Sequence, residues 1–364
     1  MGVRMKSRMK TRRRILLSFL GVQLLLVGVF LYQTCSDSSS LRLLFRDGPK
    51  AGEPPFLAQS SSPGIPLRDV YASLGQIRPV DVPQKDLPNC PIISPYINGP
   101  LKVMVPDNLT TEKVAEKNPL VKPGGQYWPP DCWTRYHTAV VVPYYGQAQH
   151  LQHLLFHLHP FLQRQQLHYT IYVVNQVNST AFSRSRLRNV GFREAMQDED
   201  WDCVFLHDVN VLPEDDRNLY TCDFFPAHVS VAIDKFKYKL PYQGYLGGVL
   251  SLRPIHYLRI HGFPTGYQSL EDEDNDIATR VKLSGMYLSR PHLLFGRYHM
   301  LEGQDPDRGQ SLPRLRVLAH IRRRWRQDSI SSPGYRLLSR ERHPLYTNLT
   351  VDFSFPGPGA TELH

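Results

Sequence analysis

The sequence predicts an α/β domain with a mainly parallel sheet covered by helices on both faces, carried on a single-pass type II membrane anchor and a flexible stem. Three observations predict it. Short β-branched apolar runs alternate with helically spaced leucines between residues 137 and 206. An apolar stretch from Ile15 to Tyr32 follows a basic flank, and Ser, Pro and Gly dominate the chain from Ser36 to about Leu87.

Ile15 to Tyr32 has Gln23 as its one strongly polar side chain. That length is the lower end of what spans a bilayer core and exceeds the ~7–15-residue apolar region of a cleaved signal peptide. Arg4, Lys6, Arg8, Lys10, Arg12, Arg13 and Arg14 precede it, so the positive-inside rule keeps the first residues cytosolic. The expected organisation is a tail over 1–14, an anchor over 15–32, a stem over 33–88, a luminal domain over 89–355 and a short tail over 356–364. The net charge of +10 is therefore largely a topology signal. A second basic cluster, Arg322, Arg323, Arg324 and Arg326 around Trp325, reads first as a solvated helix face and second as a contact for an acidic partner or substrate. No RNA- or DNA-reading motif accompanies either cluster, so no nucleic-acid partner is expected.

Cys35 abuts the anchor, leaving Cys90, Cys132, Cys203 and Cys222, an even number suited to an oxidising compartment. Three pairings are open, and the sequence-near pairs Cys90–Cys132 and Cys203–Cys222 are preferred. Sequons at Asn108, Asn178 and Asn348 all fall on the expected luminal side.

Within the domain, His137 to Pro143 is a buried-strand run. Leu151, Leu154, Leu155 and Leu158 follow at helical spacing, with Pro160 as the expected stop. Tyr169 to Val174 reads as a second strand, Ser185 to Met196 as a helix, and Asp202 to Leu206 as a third strand ending at His207-Asp208-Val209-Asn210. Alternation of this kind gives a parallel sheet, and such sheets bind ligands at the carboxyl ends of their strands. Asp208 and Asn210 sit at one of those ends.

Asp-x-Asp at a strand end would offer two carboxylates to a sugar nucleotide, one of them for a divalent ion bridging its diphosphate. Here the second is the amide Asn210. Glu271-Asp272-Glu273-Asp274-Asn275-Asp276 reads as a solvated loop or a helix start where carboxylates favour the dipole, or as the source of a general base for an attacking hydroxyl. Tyr242 and Tyr245, with Gly247 and Gly248 just after, read either as aromatic faces for a sugar beside a closely approaching backbone or as core tyrosines with satisfied hydroxyls. His299-Met300 reads first as a strand end and second as a ligand pair.

At these residues the chain resembles the animal β-1,4-galactosyltransferase family from about Cys90 to Phe355. The matching segments are 182–191, 205–220, Asp234-Lys-Phe236, 240–249, Gly262-Phe-Pro264 and 344–353. The resemblance supports the sequence-near disulfides and implies a GT-A (Rossmann-like) glycosyltransferase fold in the Golgi lumen. It further implies inverting, single-displacement transfer of galactose from UDP-galactose to terminal N-acetylglucosamine in β-1,4 linkage, with Mn²⁺ as cofactor. Carried over by position, Phe182, Arg184, Asp208 and Lys235 contact the donor; Tyr242, Tyr245, Gly247, Gly248 and Arg314 contact the acceptor; Asp274 is the catalytic base beside Glu273. The metal trio falls on Asn210, Met300 and Gly303, with His299 as a substitute ligand. Two donor-site arginines of the family become Tyr145 and Gln147, its Trp-Gly-Trp-Gly-Gly loop becomes Gln268-Ser-Leu-Glu-Asp272, and an acceptor carboxylate becomes Asn275. Such changes at the donor and lid also fit a second class of function, a catalytically silent glycan-binding or Golgi partner protein.

Overall fold

The structure is a computed structural model that describes residues 67–83, 86–177, 182–242, 244–265, 267, 270–303, 321, 323, 325–326 and 334–354. The expected cytosolic tail, the anchor, the stem up to residue 66, Cys35, Asn178, Arg314 and the 356–364 tail lie outside the described residues. Among the described residues no helix is long and apolar enough to cross a membrane.

In chain order the elements begin with β1 (Arg68–Asp69), β2 (Leu101–Lys102), α1 (Thr111–Lys117), β3 (Gln126–Tyr127), β4 (His137–Tyr144), α2 (Ala148–Arg164) and β5 (His168–Val177). Next come α3 (Arg184–Ala195), β6 (Cys203–His207), β7 (Val211–Pro213), β8 (Ala227–His228), β9 (Ala232–Ile233) and β10 (Val249–Leu252). α4 (Pro254–Arg259), α5 (Leu270–Leu283), β11 (Arg297–Met300), β12 (Arg336–Arg342) and β13 (Thr347–Asp352) complete the series. The main sheet runs β12-β13-β5-β4-β6-β10-β8, with β3 pairing β5 off that path. β13, β5, β4 and β6 are mutually parallel, while the flanking pairs are antiparallel, so the expected parallel sheet is mixed at its margins.

Strand alternation sorts the core into two layers. Val140, Val142, Ile171, Val173 and Phe205 face α2 through Leu154, Leu158 and Phe161. Val141, Tyr172, Val174, Val204 and Leu206 face α3 and its neighbours through Leu187, Val190 and Ile277. A β-carbon at Gly191 would lie 2.2 Å from a Val141 methyl, so the absent side chain sets the approach of α3 to the sheet. The disulfides are Cys90–Cys132 and Cys203–Cys222, the sequence-near pairs.

Two expectations are corrected together. Pro160 does not end its helix: α2 continues to Arg164. Proline removes the N–H that would bond the carbonyl four residues back, here that of Phe156, and the Tyr71 hydroxyl donates to this carbonyl at 2.8 Å. Tyr71 belongs to the stretch read as flexible stem. Its neighbour Val70 is fully buried, and Arg164 donates to the carbonyls of Val70 and Ala72. Packed chain therefore begins some twenty residues before Cys90.

Candidate active site

Asp208 follows β6 at its carboxyl end, as expected, and α3 and α5 bring their first turns to it. Arg184, at the start of α3, donates through Nε to Glu273 at 2.9 Å, through Nη1 to Asp208 at 3.3 Å and through Nη2 to Asp274 at 2.7 Å. One turn later Arg188 donates to Asp208 at 2.9 Å and to Glu273 at 3.5 Å. The backbone N–H of Gly248, where φ is +84°, donates to Asp208 at 2.9 Å. Two guanidiniums thus face three carboxylates inside the protein. The acidic run is no solvated loop: Asp272, Glu273, Asp274 and Asp276 are all buried, and Arg280 bonds Asp276 within α5.

Electrostatics separates the carboxylates. Burial pushes the Asp208 pKa up, but Arg188 and Arg184 outweigh it and hold the group below the usual range. Asp274 goes the other way: burial and the nearby Glu273 raise its pKa more than Arg184 lowers it. Burial also works against the charge of Arg184, yet Glu273, Asp274 and Asp208 raise its pKa well above normal. A carboxylate with a raised pKa beside one kept ionised is a pattern found at acid–base sites.

Tyr242 donates to the second oxygen of Asp274 at 2.9 Å, and the Leu246 N–H joins it at 3.2 Å. The Tyr242 and Tyr245 rings meet edge to face at 5.5 Å, and Tyr245 lies over Gly247, where a β-carbon would sit 2.5 Å from its hydroxyl. Phe182 packs near Tyr145 at 6.0 Å, so the position read as a lost arginine carries an aromatic partner. Lys235 is exposed on the short 3-10 turn Asp234–Phe236. Asn275 approaches Gly244, where a β-carbon would lie 2.5 Å from its amide oxygen. Of the sequons, Asn108 is exposed, while Asn348 lies half-buried in β13 with its amide bonded to Thr350 at 3.1 Å.

Two family models match the chain: "N-terminal region of glycosyl transferase group 7" over residues 90–223 and "N-terminal domain of galactosyltransferase" over residues 227–304. The Bos taurus β-1,4-galactosyltransferase 3 is 45% identical over 340 residues, covering 90% of this chain and 84% of the relative. For the Homo sapiens protein of that name the identity is 48% over 290 residues, 78% of this chain and 74% of the relative. The chain belongs to the β-1,4-galactosyltransferase family. Mus musculus β-1,4-galactosyltransferase 1 is 42% identical over 271 residues, 74% of this chain and 68% of the relative. Among solved structures, the catalytic domain of Drosophila β1,4-galactosyltransferase 7 with xylobiose superposes with a TM-score of 0.51 at 24% identity, over 60% of this chain and 93% of that one. A mutant of the Drosophila enzyme, in complex with manganese, UDP-Gal and xylobiose, has the same TM-score at 23% identity.

In this galactosyltransferase-family chain the positions expected at a metal form one locality. The Leu301 N–H donates to the Asn210 carbonyl at 2.8 Å, and Met300 pairs with Val211 across β11 and β7. His299 does not join them. Alternation puts it on the opposite face of β11 from Met300, where Nδ1 lies 2.5 Å from Asp234 and Glu214 is close by. The space beside Gly303 is filled by another imidazole: a β-carbon there would lie 2.6 Å from Cε1 of His150. His150 Nε2 lies 3.0 Å from the Glu302 carbonyl, and its buried Nδ1 has no partner. With His150 counted, the side chains carried by this locality are an amide, a thioether and an imidazole. These donors suit a divalent transition ion in kind but bring no negative charge.

Sequence reasoning missed His150 and the role of Arg188. No spacing rule links 150 to 303. Arg188 was visible only as the last of three alternating arginines at 184, 186 and 188.

Proposed function

We propose that the chain is an inverting galactosyltransferase that moves galactose from UDP-galactose to terminal N-acetylglucosamine of glycoconjugates in β-1,4 linkage, working in the Golgi lumen from a type II membrane anchor. The observation that carries this reading is the placement of Asp274: buried, ion-paired to Arg184, and bonded by the Tyr242 hydroxyl beside an aromatic pair. In a single displacement the acceptor oxygen bonds to the anomeric carbon as the bond to UDP breaks, and a base must take the acceptor's proton. Asp274 is that base, entered from the side of Tyr242 and Tyr245, whose faces suit a sugar ring. Its raised pKa strengthens its basicity, and Arg184 acts in the opposite sense by favouring the carboxylate. Asp208, kept ionised, fixes Arg188 and Arg184 and orders the donor side through the Gly248 amide. Phe182 and Tyr145 give the nucleotide base an aromatic surface.

A divalent ion, manganese by analogy with the Drosophila complex, would be held by Asn210, Met300 and His150 and would stabilise the departing diphosphate as a Lewis acid. Its affinity is expected to be low because Asn210 is neutral. The relatives named above carry the names of transferases, which does not favour the silent glycan-binding reading. The test is a transfer assay on the purified chain with UDP-galactose and N-acetylglucosamine, with and without Mn²⁺. Formation of the β-1,4 disaccharide is expected; UDP-galactose left intact under all metal conditions would refute the proposal.

A further inference from the structure

At the other end of the parallel strands, away from Asp208, three metal-ligating side chains converge. His137 opens β4 and His168 opens β5, and the two are directly paired in the parallel register. Their rings stand 4.7 Å apart. Glu199, in the turn between α3 and β6, reaches both. One of its oxygens lies 3.4 Å from Nδ1 of His137 and the other 3.3 Å from Nε2 of His168. One ligand atom from each residue falls within a common 4.8 Å.

We propose that His137, His168 and Glu199 form a zinc site with three protein ligands and a fourth position open to solvent. Two imidazoles and a carboxylate are a recurrent zinc set, and bonds of about 2.0–2.1 Å in tetrahedral geometry place neighbouring ligand atoms roughly 3.4 Å apart. The two Glu199–imidazole separations, one to each carboxylate oxygen, lie close to that edge. His168 is wedged edge-on between Trp128, at 5.8 Å, and Trp201, at 5.5 Å, so its orientation is set before any ion arrives.

The surroundings favour a cation. Glu199 sits in the chain among Asp198, Asp200 and Asp202. A bound dication would relieve this crowding. Beside the trio lies a cavity of about 380 Å³, bounded by Leu87, Trp128, Pro129 and Trp133, with Trp133 half exposed. It gives an ion an entry path and leaves room for a water or a small anionic group at the fourth position. The site ties the starts of two central strands to the turn before β6. Zinc binding would therefore stabilise the fold from the end opposite the sugar-nucleotide pocket.

The experiment uses the full chain, stripped with chelator and titrated with Co²⁺ and then Zn²⁺. Visible absorption reads tetrahedral coordination, and metal analysis after equilibrium dialysis reads stoichiometry. The wild type should take up one Zn²⁺ at this site, show the intense Co²⁺ bands of a tetrahedral site, and melt at a higher temperature with zinc. His168→Ala and Glu199→Gln should each weaken zinc binding at least about 100-fold, beyond the range for ligand-supporting groups, and lose the thermal shift. Asn210→Ala, at the opposite end of the strands, should leave both intact, which separates this ion from any ion in the donor pocket. A wild type with no stoichiometric zinc, or either variant with undiminished uptake, would overturn the proposal.

Discussion

At position 274 the carboxylate is buried and its pKa raised, a balance that the neighbouring side chains set. Because the Asp274 pKa is raised, transfer should fall with decreasing pH along a limb lying above the ordinary Asp value of ~3.9. Tyr242→Phe removes a hydrogen bond that lowers this pKa, so the limb should move to still higher pH in a pH–rate profile. At position 210 a carboxylate would restore anionic charge. Asn210→Asp should tighten Mn²⁺ binding by at least about tenfold, judged against the range for supporting groups, as read by calorimetry. A histidine at position 303 would meet His150, so Gly303→His can add a ligand only by displacing one. From the residues alone, the strand end pointed to Asp208 and the acidic run to a base somewhere within 271–276, while only the family resemblance singled out Asp274 beside Glu273. Their shared dependence on Arg184 and Arg188 was not legible, since it arises where α3 and α5 start side by side.

Among the elements, α2 and α3 show what pattern reading captures and what it misses. The leucine spacing of α2 was plain, yet its end was misplaced because proline normally stops a helix and the compensating hydroxyl comes from residue 71, far away in sequence. Tyr71→Phe should leave the Phe156 carbonyl without its partner and destabilise the chain by about 1–3 kcal/mol in urea unfolding. In a Pro160→Ala background, where the backbone donor returns, the same change should cost measurably less. For α3 the critical contact is Gly191 on Val141. Gly191→Ala forces a methyl into 2.2 Å of contact, and overpacking of that kind costs about 1–3 kcal/mol.

For the molecule as a whole, composition and periodicity foretold a layered α/β domain, and the mixed sheet with α2 on one face and α3 on the other agrees. The low-complexity stretch misled the reading of the boundary: Ser, Pro and Gly signalled a linker, while Val70, Tyr71 and the carbonyls capping Arg164 are part of the domain. A chain starting at residue 89 should therefore unfold at lower urea than one starting at residue 67. The proposed function would rest on the assembly as a unit, since the end of β6, α3, residues 242–248 and α5 meet at Asp208 and Asp274. The most direct measurement is kcat for galactose transfer by Asp274→Asn beside the wild type, with the fold checked by circular dichroism. A loss of about 10²–10⁴-fold in kcat with little change in the KM for UDP-galactose is expected. Wild-type turnover by the folded variant would contradict the account.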